Sequence, residues 1–214
     1  MHKSVKNLLD IQDKIKNNTN ATPIIIAVSK NFGSQDILPL LEHGHQHYGE
    51  NKVQEATKKW HELKLKYNNI KLHMIGKLQT NKVRDCLKYF DFIHSVDSKK
   101  LAKKIFDEQI KQNKKISIFI QINVGNESQK AGVNISELEE LLEYCNFLKL
   151  KTVGLMCIPP NSNNPNEYFI KMKNFKKKYN QENLSMGMSA DYIDAIKNSS
   201  NFIRIGTSIF GNRN

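Results

Sequence analysis

Short apolar runs alternate with longer amphipathic stretches along the whole chain, and no linker rich in glycine, serine or proline separates them. The apolar runs predict eight β-strands, at residues 24–29, 46–49, 71–75, 92–95, 116–124, 152–156, 184–186 and 202–205. The amphipathic stretches between them predict helices at residues 34–43, 51–66, 80–89, 98–112, 136–145, 167–179 and 190–198. A helix between consecutive strands is typical of a parallel α/β fold.

Eight strands in 214 residues favour a closed TIM (β/α)8 barrel, although a doubly wound open sheet would give the same pattern over half of the chain. Val5, Leu8 and Ile15 recur at helical spacing, so we expect residues 1–20 to form an extra N-terminal helix packed on the barrel. We therefore expect one domain over residues 1–214. Its chemistry should lie where strands end and helices begin.

The composition permits one substantial core, because 39% of the side chains are hydrophobic and 25% are charged. The 33 Lys and Arg residues exceed the 21 Asp and Glu residues, giving a net charge of +12 that raises nucleic acid as a partner. Nearly all of these cations are lysines spread over every predicted helix beside many asparagines, a pattern that biased genome composition also produces. We therefore do not expect a dedicated nucleic-acid site.

The cysteines and the apolar runs indicate the compartment. Cys86, Cys145 and Cys157 are odd in number and widely separated, which fits neither a disulfide framework nor a zinc site with paired thiolates. No stretch approaches the roughly 18 apolar residues that a membrane-spanning helix needs, and the first residues lack the apolar core of a signal peptide. We expect a cytoplasmic protein with no membrane partner.

Lys30 is the first candidate for chemistry. It directly follows the apolar run IIIAVS, which places it at the mouth of the expected barrel. A lysine in a dry barrel mouth loses its proton more easily than one in water, so it can act as a nucleophile that forms a Schiff base. The alternative is a solvated charge at a strand end, which is the commoner role of a lysine.

The segments that follow the last two predicted strands suggest an anion site. LSMGMSAD offers Ser185, Gly187 and Ser189, and FIRIGTSIFG offers Gly206 and Thr207. TIM barrels commonly bind phosphate between the loops after strands 7 and 8, where backbone N–H groups and a helix N-terminus meet the anion. The alternative is that Ser189 caps a helix and Gly206 forms a turn.

Arg204 lies two residues before Gly206 and is expected on the same side of its strand. An arginine that points into a barrel needs an acceptor, so we expect a carboxylate or an aromatic nitrogen beside it. A lysine able to form an imine, a phosphate site and an arginine on the opposite wall together describe a site for pyridoxal 5'-phosphate.

Six motifs resemble those of the pyridoxal phosphate homeostasis proteins, whose barrel is similar to the N-terminal domain of bacterial alanine racemases. In chain order the motifs are AVSKNFG, HYGENKVQE, HMIGKLQTNK, VGLMCIPP, LSMGMSADYIDAI and RIGTSIFGNR. The match runs from Ile24 to Arg213 in the expected order, and several motifs are seven residues or longer.

This resemblance implies the cofactor pyridoxal 5'-phosphate, carried as a reversible aldimine on Lys30. It implies phosphate contacts from Ser189 and from the amides of Gly206 and Thr207. It also implies that Arg204 faces the pyridine nitrogen.

The resemblance further implies that Asn51 lies beside the cofactor and that Ser185 and Met186 line the phosphate side. No residue is assigned a catalytic role. An arginine keeps its proton, so the pyridine nitrogen facing it should stay unprotonated, and the ring is then a weaker electron sink.

We therefore expect a protein of pyridoxal phosphate (vitamin B6) homeostasis without robust turnover, which affects amino- and keto-acid pools indirectly. Racemases of the related fold use a tyrosine delivered by a second domain and a partner subunit, whereas this chain ends eight residues after Gly206. We expect a monomer that passes the cofactor to apo forms of enzymes that depend on it. The alternative is a slow amino-acid racemase or lyase that uses the same cofactor.

Three further features carry weaker expectations. Lys130, in NESQKAG, is a candidate second amine at the barrel mouth, although a solvated loop lysine is the plainer interpretation. His43, His45 and His47 suggest a metal but have no carboxylate or thiolate pattern beside them, so we expect no metal site. Cys157 is expected to be a buried small apolar residue.

Overall fold

Eight parallel strands close into a barrel in which each strand pairs with the next and the last pairs with the first. This computed structural model describes residues 1–127, 129–161 and 164–211. The strands are β1 (Ile24–Val28), β2 (His47–Glu50), β3 (Lys71–Met74), β4 (Phe92–Val96), β5 (Ser117–Ile122), β6 (Lys151–Cys157), β7 (Asn183–Ser185) and β8 (Phe202–Ile205). The predicted TIM barrel is confirmed, and the open sheet is excluded because β8 pairs with β1 over four residue pairs.

Helices surround the barrel and connect its strands. They are α1 (Lys3–Asn18), α2 (Ser34–Glu42), α3 (Val53–Lys66), α4 (Val83–Tyr89), α5 (Lys99–Gln112), α6 (Leu138–Phe147), α7 (Asn166–Lys178), α8 (Tyr192–Lys197) and α9 (Thr207–Phe210). Short 3₁₀ turns precede α4 and α6. The sequence pattern missed α9, because a helix of four residues is too short to show a period.

Two helices near the expected site begin later than predicted. The helix predicted from residue 51 begins at Val53, because Lys52 is extended at φ −132° and ψ 128° and serves as the N-cap. The helix predicted from residue 190 begins at Tyr192. Both shifts lengthen the loops that follow β2 and β7, and these loops lie at the end of the barrel where chemistry is expected.

The N-terminal helix covers part of the outer core. Val5, Leu8, Ile11 and Ile15 form its buried stripe. The Asn7 side-chain amide donates a hydrogen bond to the Ile209 carbonyl at 2.9 Å, which links α1 to α9. That residues 1–214 form a single domain stays a prediction, and Arg213, which ends the last quoted motif, lies outside the described residues.

The barrel interior is partly polar. Its apolar part is a small cluster of buried side chains, Ile26, Phe119, Met156 and Phe202. Four buried polar side chains contact this cluster or one another, namely His73, His94, Ser185 and Arg204. The larger apolar core lies between the sheet and the surrounding helices. In the part of the chain that is described, every helix is too short or too polar to cross a bilayer.

Candidate functional site

A cavity of about 560 Å³ lies at the carboxyl ends of the strands. Its lining contains six of the residues predicted from the sequence, Lys30, Asn51, Ser189, Arg204, Gly206 and Thr207. Apolar walls come from Val28, Phe32, Ile75, Ile158 and Met188. A cavity with apolar walls and a few convergent polar groups is typical of a cofactor site.

Helix α3 anchors the loop that carries Lys30. The Lys59 ammonium donates hydrogen bonds to the carbonyls of Ser29 at 2.6 Å and Phe32 at 2.9 Å, which flank Lys30 on both sides. The Asn31 amide donates to the Glu55 carboxylate at 2.5 Å, and Asn31 itself adopts a left-handed conformation with φ 65°. Asparagine tolerates this conformation better than most residues, so the loop turns sharply and places Lys30 on the cavity wall.

A buried carboxylate anchors the same loop. Glu50, at the end of β2, accepts hydrogen bonds from the Ser29 hydroxyl at 2.7 Å and from the Trp60 indole at 2.9 Å. Its Oε1 atom also lies 2.7 Å from the Lys59 ammonium. The Lys59 ammonium therefore pairs with the buried Glu50 carboxylate at Oε1, whereas Oε2 has no hydrogen-bond partner among the described residues.

Asn51 lies beside the cavity because two strand ends approach closely. A Cβ atom added to Gly76, after β3, would lie 2.4 Å from the Asn51 carbonyl oxygen. Glycine is therefore the residue that allows the backbone after β3 to pack directly against that of Asn51. This contact places Gly76 and Asn51 side by side in the lining.

Arg204 is almost completely buried, with 4% of its surface exposed. Its Nη1 group donates to the Ser185 hydroxyl at 2.8 Å, and its Nη2 group donates to the Cys157 carbonyl at 2.9 Å. Among the described residues a hydroxyl and a carbonyl oxygen accept from Arg204, and the expectation that it faces a pyridine nitrogen stays a prediction. Burial lowers the pKa of Arg204, but a guanidinium keeps its proton at physiological pH.

The loops after β7 and β8 meet beside the end of β1, because β8 pairs with β1. The Ser208 amide donates to the Ser189 hydroxyl at 3.4 Å, which joins the two loops. The amides of Ile209 and Phe210 both donate to the Gly206 carbonyl. Ser189, Gly206 and Thr207 all line the cavity.

Ser185 and Met186 do not line this cavity, contrary to expectation. Adjacent residues of a strand point to opposite faces, and here Ser185 points into the barrel toward Arg204. Met186 packs in the outer core between the sheet and the helices. Both side chains are fully buried, so Ser185 reaches the cavity only through Arg204.

The structure also locates the other residues singled out in the sequence, namely Lys130, Cys157, His43, His45 and His47. Lys130 is absent from the cavity lining, and its ammonium lies 2.6 Å from the Glu127 carboxylate. Cys157 is buried as expected, and burial raises the pKa of its thiol to about 12. His43 is exposed, whereas the His45 ring contacts the His47 carbonyl at 2.9 Å.

Sequence reasoning missed the residues that hold the site from below. Lys59 and Glu55 lie on α3, where a helix rich in lysine and glutamate looks like a solvated surface. His73 and His94 lie inside the strands HMIG and FIHSV, and a polar residue within an apolar strand is the signal that could have identified them.

Comparisons with known proteins agree with the barrel fold. Residues 3–214 match the family model described as alanine racemase, N-terminal domain. The chain is 39% identical to the pyridoxal phosphate homeostasis protein of Aquifex aeolicus, with 88% of this chain and 86% of the relative covered. It is 33% identical to the pyridoxal phosphate homeostasis protein of Escherichia coli strain K12, with 100% and 98% covered.

A solved structure shows the same fold at similar length. The structure of PipY from Synechococcus elongatus with pyridoxal phosphate bound matches with a TM-score of 0.87 at 30% identity. The match covers 97% of this chain and 100% of the PipY chain.

Proposed function

Because the chain belongs to the family of pyridoxal phosphate homeostasis proteins, which share the alanine racemase N-terminal domain, we propose that it binds pyridoxal 5'-phosphate in the 560 Å³ cavity and acts in the homeostasis of that cofactor. The family resemblance predicted from the six motifs is confirmed. Binding of the cofactor is supported by the relatives' names and by the PipY structure that contains it.

The convergence of three kinds of group on one cavity carries the proposal. Lys30 supplies an amine, Arg204 supplies a buried cation, and the loops after β7 and β8 supply hydroxyl and amide donors. The cavity also has open space beside Gly206. A Cβ atom added to Gly206 would have its nearest contact at 3.5 Å, with Val28. The residues present therefore fit an aromatic phosphate ester that carries an aldehyde.

When bound, pyridoxal phosphate supplies an aldehyde that condenses reversibly with a primary amine, releasing one water molecule. Lys30 is the amine in this proposal, and α3 holds its loop against the cavity wall through Lys59 and Glu55. Arg204 would donate an N–H group toward the pyridine nitrogen and retain its own proton. Ser189, Gly206 and Thr207 would bind the phosphate group, and Asn51 would lie beside the ring.

Ser185 and Met186 support the site indirectly in this proposal. Ser185 orients Arg204, and Met186 packs behind β7. We propose no catalytic residue, because the cavity lining offers Arg204 as a donor that retains its proton, where carbanion chemistry would need an acid. The protein then stores and releases the cofactor without robust turnover.

We propose that apo forms of enzymes that depend on pyridoxal phosphate receive the cofactor, and that the protein acts as a cytoplasmic monomer. A reversible bond to Lys30 hides a reactive aldehyde while keeping it available to another amine. Effects on amino- and keto-acid pools would follow from changes in those recipient enzymes.

Borohydride reduction of the protein mixed with pyridoxal phosphate, followed by peptide mapping, tests the site. We expect one modified lysine, Lys30, and loss of the adduct in Lys30→Ala. Lys130→Ala is the matched control, because Lys130 lies after another strand but outside the cavity, and it should label as the wild type does. An adduct that persists at a different lysine in Lys30→Ala with unchanged yield would contradict the proposal.

Turnover distinguishes the homeostasis role from a slow racemase or lyase. The loaded protein is incubated with single amino acid enantiomers, and product is measured by chiral chromatography. Racemisation or cleavage that depends on Lys30 and proceeds through many turnovers would favour the enzyme.

A further inference from the structure

A chain of hydrogen bonds crosses the barrel interior and ends at Arg204. Nδ1 of His47 lies 3.0 Å from Nε2 of His73, and Nδ1 of His73 lies 2.9 Å from Nε2 of His94. Nδ1 of His94 lies 2.9 Å from the Ser185 hydroxyl, which also accepts a hydrogen bond from Arg204 at 2.8 Å. This hydrogen-bonded chain of side chains joins strands β2, β3, β4, β7 and β8.

The two ends of the chain lie at different cavities. Arg204 lines the 560 Å³ cavity proposed for the cofactor. His47 is partly exposed and lines a second cavity of about 320 Å³, together with Ile15, Pro23 and His45. The residues between the ends, His73 and His94, are fully buried.

The inner imidazoles are neutral. Burial lowers the pKa of His73 well below its usual range, and the neighbouring His94 lowers it further. Burial also lowers the pKa of His94, and the positive charge of Arg204 acts in the same direction. A neutral imidazole donates through one nitrogen and accepts through the other, so each histidine must take one of two tautomers.

Arg204 selects between these tautomers. A guanidinium only donates, so the Ser185 oxygen accepts from Arg204, and the hydroxyl proton is left to donate to Nδ1 of His94. His94 then carries its proton on Nε2 and donates to His73, and His73 donates in the same way to His47. In this direction every group of the chain is paired, which buried polar groups require.

Protonation of His47 breaks this arrangement. The Nδ1 atom of a charged His47 can no longer accept, so His73 and His94 must both move their protons to Nδ1 to stay paired. The Ser185 oxygen would then accept hydrogen bonds from both His94 and Arg204. The Ser185 hydroxyl proton would lose Nδ1 of His94, its acceptor among the described residues. An unpaired buried hydroxyl beside the guanidinium is costly.

We propose that His94, His73 and His47 are positioning residues for Arg204: through Ser185 they hold its guanidinium toward the cofactor cavity while all three are neutral, and they weaken that hold when His47 is protonated. The positioning role rests on the proposed function, whereas the direction of the hydrogen bonds stands without it.

The charged groups around the chain set the pH at which the coupling acts. Burial lowers the pKa of His47 from 6.5, the Lys71 ammonium on β3 lowers it further, and the Asp91 carboxylate before β4 opposes them. Lys64 on α3 and His45 before β2 act on His73. At the other end, Asp191 before α8 and the Cys157 thiol on β6 face Arg204. The coupling should therefore act below pH 6.5.

The donor-to-acceptor direction of these hydrogen bonds is testable in the protein without cofactor. Long-range ¹H–¹⁵N NMR of protein labelled at its histidines distinguishes Nδ1–H from Nε2–H tautomers. We expect the Nε2–H tautomer for His94, His73 and His47 at pH 7.5. A charged His94, or an Nδ1–H tautomer there, would overturn the assigned direction. This result does not depend on whether the protein binds pyridoxal phosphate.

The positioning role is tested by equilibrium binding of pyridoxal phosphate at several pH values. His73→Phe keeps an aromatic ring against Phe92 but interrupts the chain, and we expect affinity to fall about tenfold at pH 7.5, the change expected for one buried hydrogen bond left unpaired. Met156→Leu is the matched control, since it changes an apolar side chain of the same interior that makes none of these hydrogen bonds, and it should bind as the wild type does.

His47→Asn provides a variant at the partly exposed end, which keeps the test valid if His73→Phe does not fold. An asparagine oxygen can accept from His73 but does not titrate. We expect it to bind with wild-type affinity at pH 7.5 and to lose part of the fall in affinity that the wild type shows below pH 6.5, since protonation of the cofactor's phosphate weakens binding in both proteins. His43→Asn, at an exposed histidine outside the chain, should keep that fall.

The two proposals fail in different ways. If the wild type does not bind pyridoxal phosphate, the proposed function fails, and the NMR result still decides the direction of the chain. If the wild type binds but His73→Phe matches Met156→Leu, or His47→Asn keeps the wild-type pH profile, the positioning role is wrong and the proposed function stands.

Discussion

The Nζ atom of Lys59 lies 2.7 Å from the Oε1 atom of Glu50, with 6% and 0% of the two side chains exposed. This buried ion pair lies directly beneath the loop that carries Lys30, because Lys59 also donates to the carbonyls on either side of that residue. The geometry of the proposed amine therefore depends on a charge pair that never reaches solvent. Buried pairs of this kind are sensitive to the loss of one partner.

Lys59→Ala should lower the free energy of unfolding by about 3–5 kcal/mol, because the buried Glu50 carboxylate would lose its cation. Urea denaturation followed by circular dichroism measures the change. Lys103→Ala, which removes an exposed pair with Asp107, is the control and should change stability by less than about 1 kcal/mol. Equal effects of the two substitutions would show that the buried Lys59–Glu50 pair contributes no more to the free energy of unfolding than an exposed pair does.

Gly206→Ala should fold with nearly unchanged stability and yet bind pyridoxal phosphate more weakly. The added methyl group would have ordinary contact with Val28 at 3.5 Å, so the protein itself accommodates it, but it would occupy the cavity where the phosphate is proposed to bind. Titration of the cofactor by absorbance, together with thermal unfolding, measures both properties. Gly33→Ala, which lies outside the lining, is the control for affinity. Unchanged affinity in Gly206→Ala would place the phosphate elsewhere.

The architecture could be predicted because it depends on local patterns. Alternating apolar and amphipathic segments located all eight strands, and the strand ends then located Lys30, Arg204 and Gly206 at one end of the barrel. Lys30 and Gly206 come just after their strands and Arg204 lies near the end of its own, so an error of one or two residues in a boundary does not move them to another end of the barrel.

The finer details of the site could not be predicted because they depend on register and on distant contacts. Met186 was misplaced because a single step past Ser185, the last residue of β7, moves a side chain from the barrel interior to the outer core. The link from Ser185 to His94 joins residues 91 positions apart, and no local pattern reports it. Lys59 was missed for the same reason, since its partner Glu50 lies on a strand, whereas Lys58 and Lys66 of the same helix are exposed.

The three cysteines should resist thiol reagents until the protein unfolds. Cys86, Cys145 and Cys157 are fully buried, and burial raises the pKa of the thiols, to about 12 for Cys145 and Cys157. Because the thiolate is the reactive form, both access and ionisation are suppressed. Reaction with a chromogenic disulfide is expected to be slow in buffer and to reach all three thiols in denaturant. Rapid native labelling of Cys157 would show that the interior behind Arg204 opens readily.

Acid should destabilise the fold through its buried histidines. His73 and His94 have lowered pKa values in the folded state, chiefly because of burial, whereas in the unfolded chain they titrate near 6.5. Below pH 6.5 the unfolded chain therefore binds protons that the folded protein does not, and the free energy of unfolding falls as the pH falls. Above pH 6.5 both states hold these imidazoles neutral, and they contribute no slope. Each histidine can contribute up to about 1.4 kcal/mol per pH unit.

Urea denaturation at steps of about 0.5 pH unit between about pH 8 and pH 5 measures this slope. His94→Asn should reduce the slope, and His43→Asn should leave it unchanged. A stability that stays flat across this range would mean that both imidazoles become charged inside the folded barrel, which is incompatible with a neutral hydrogen-bonded chain leading to Arg204.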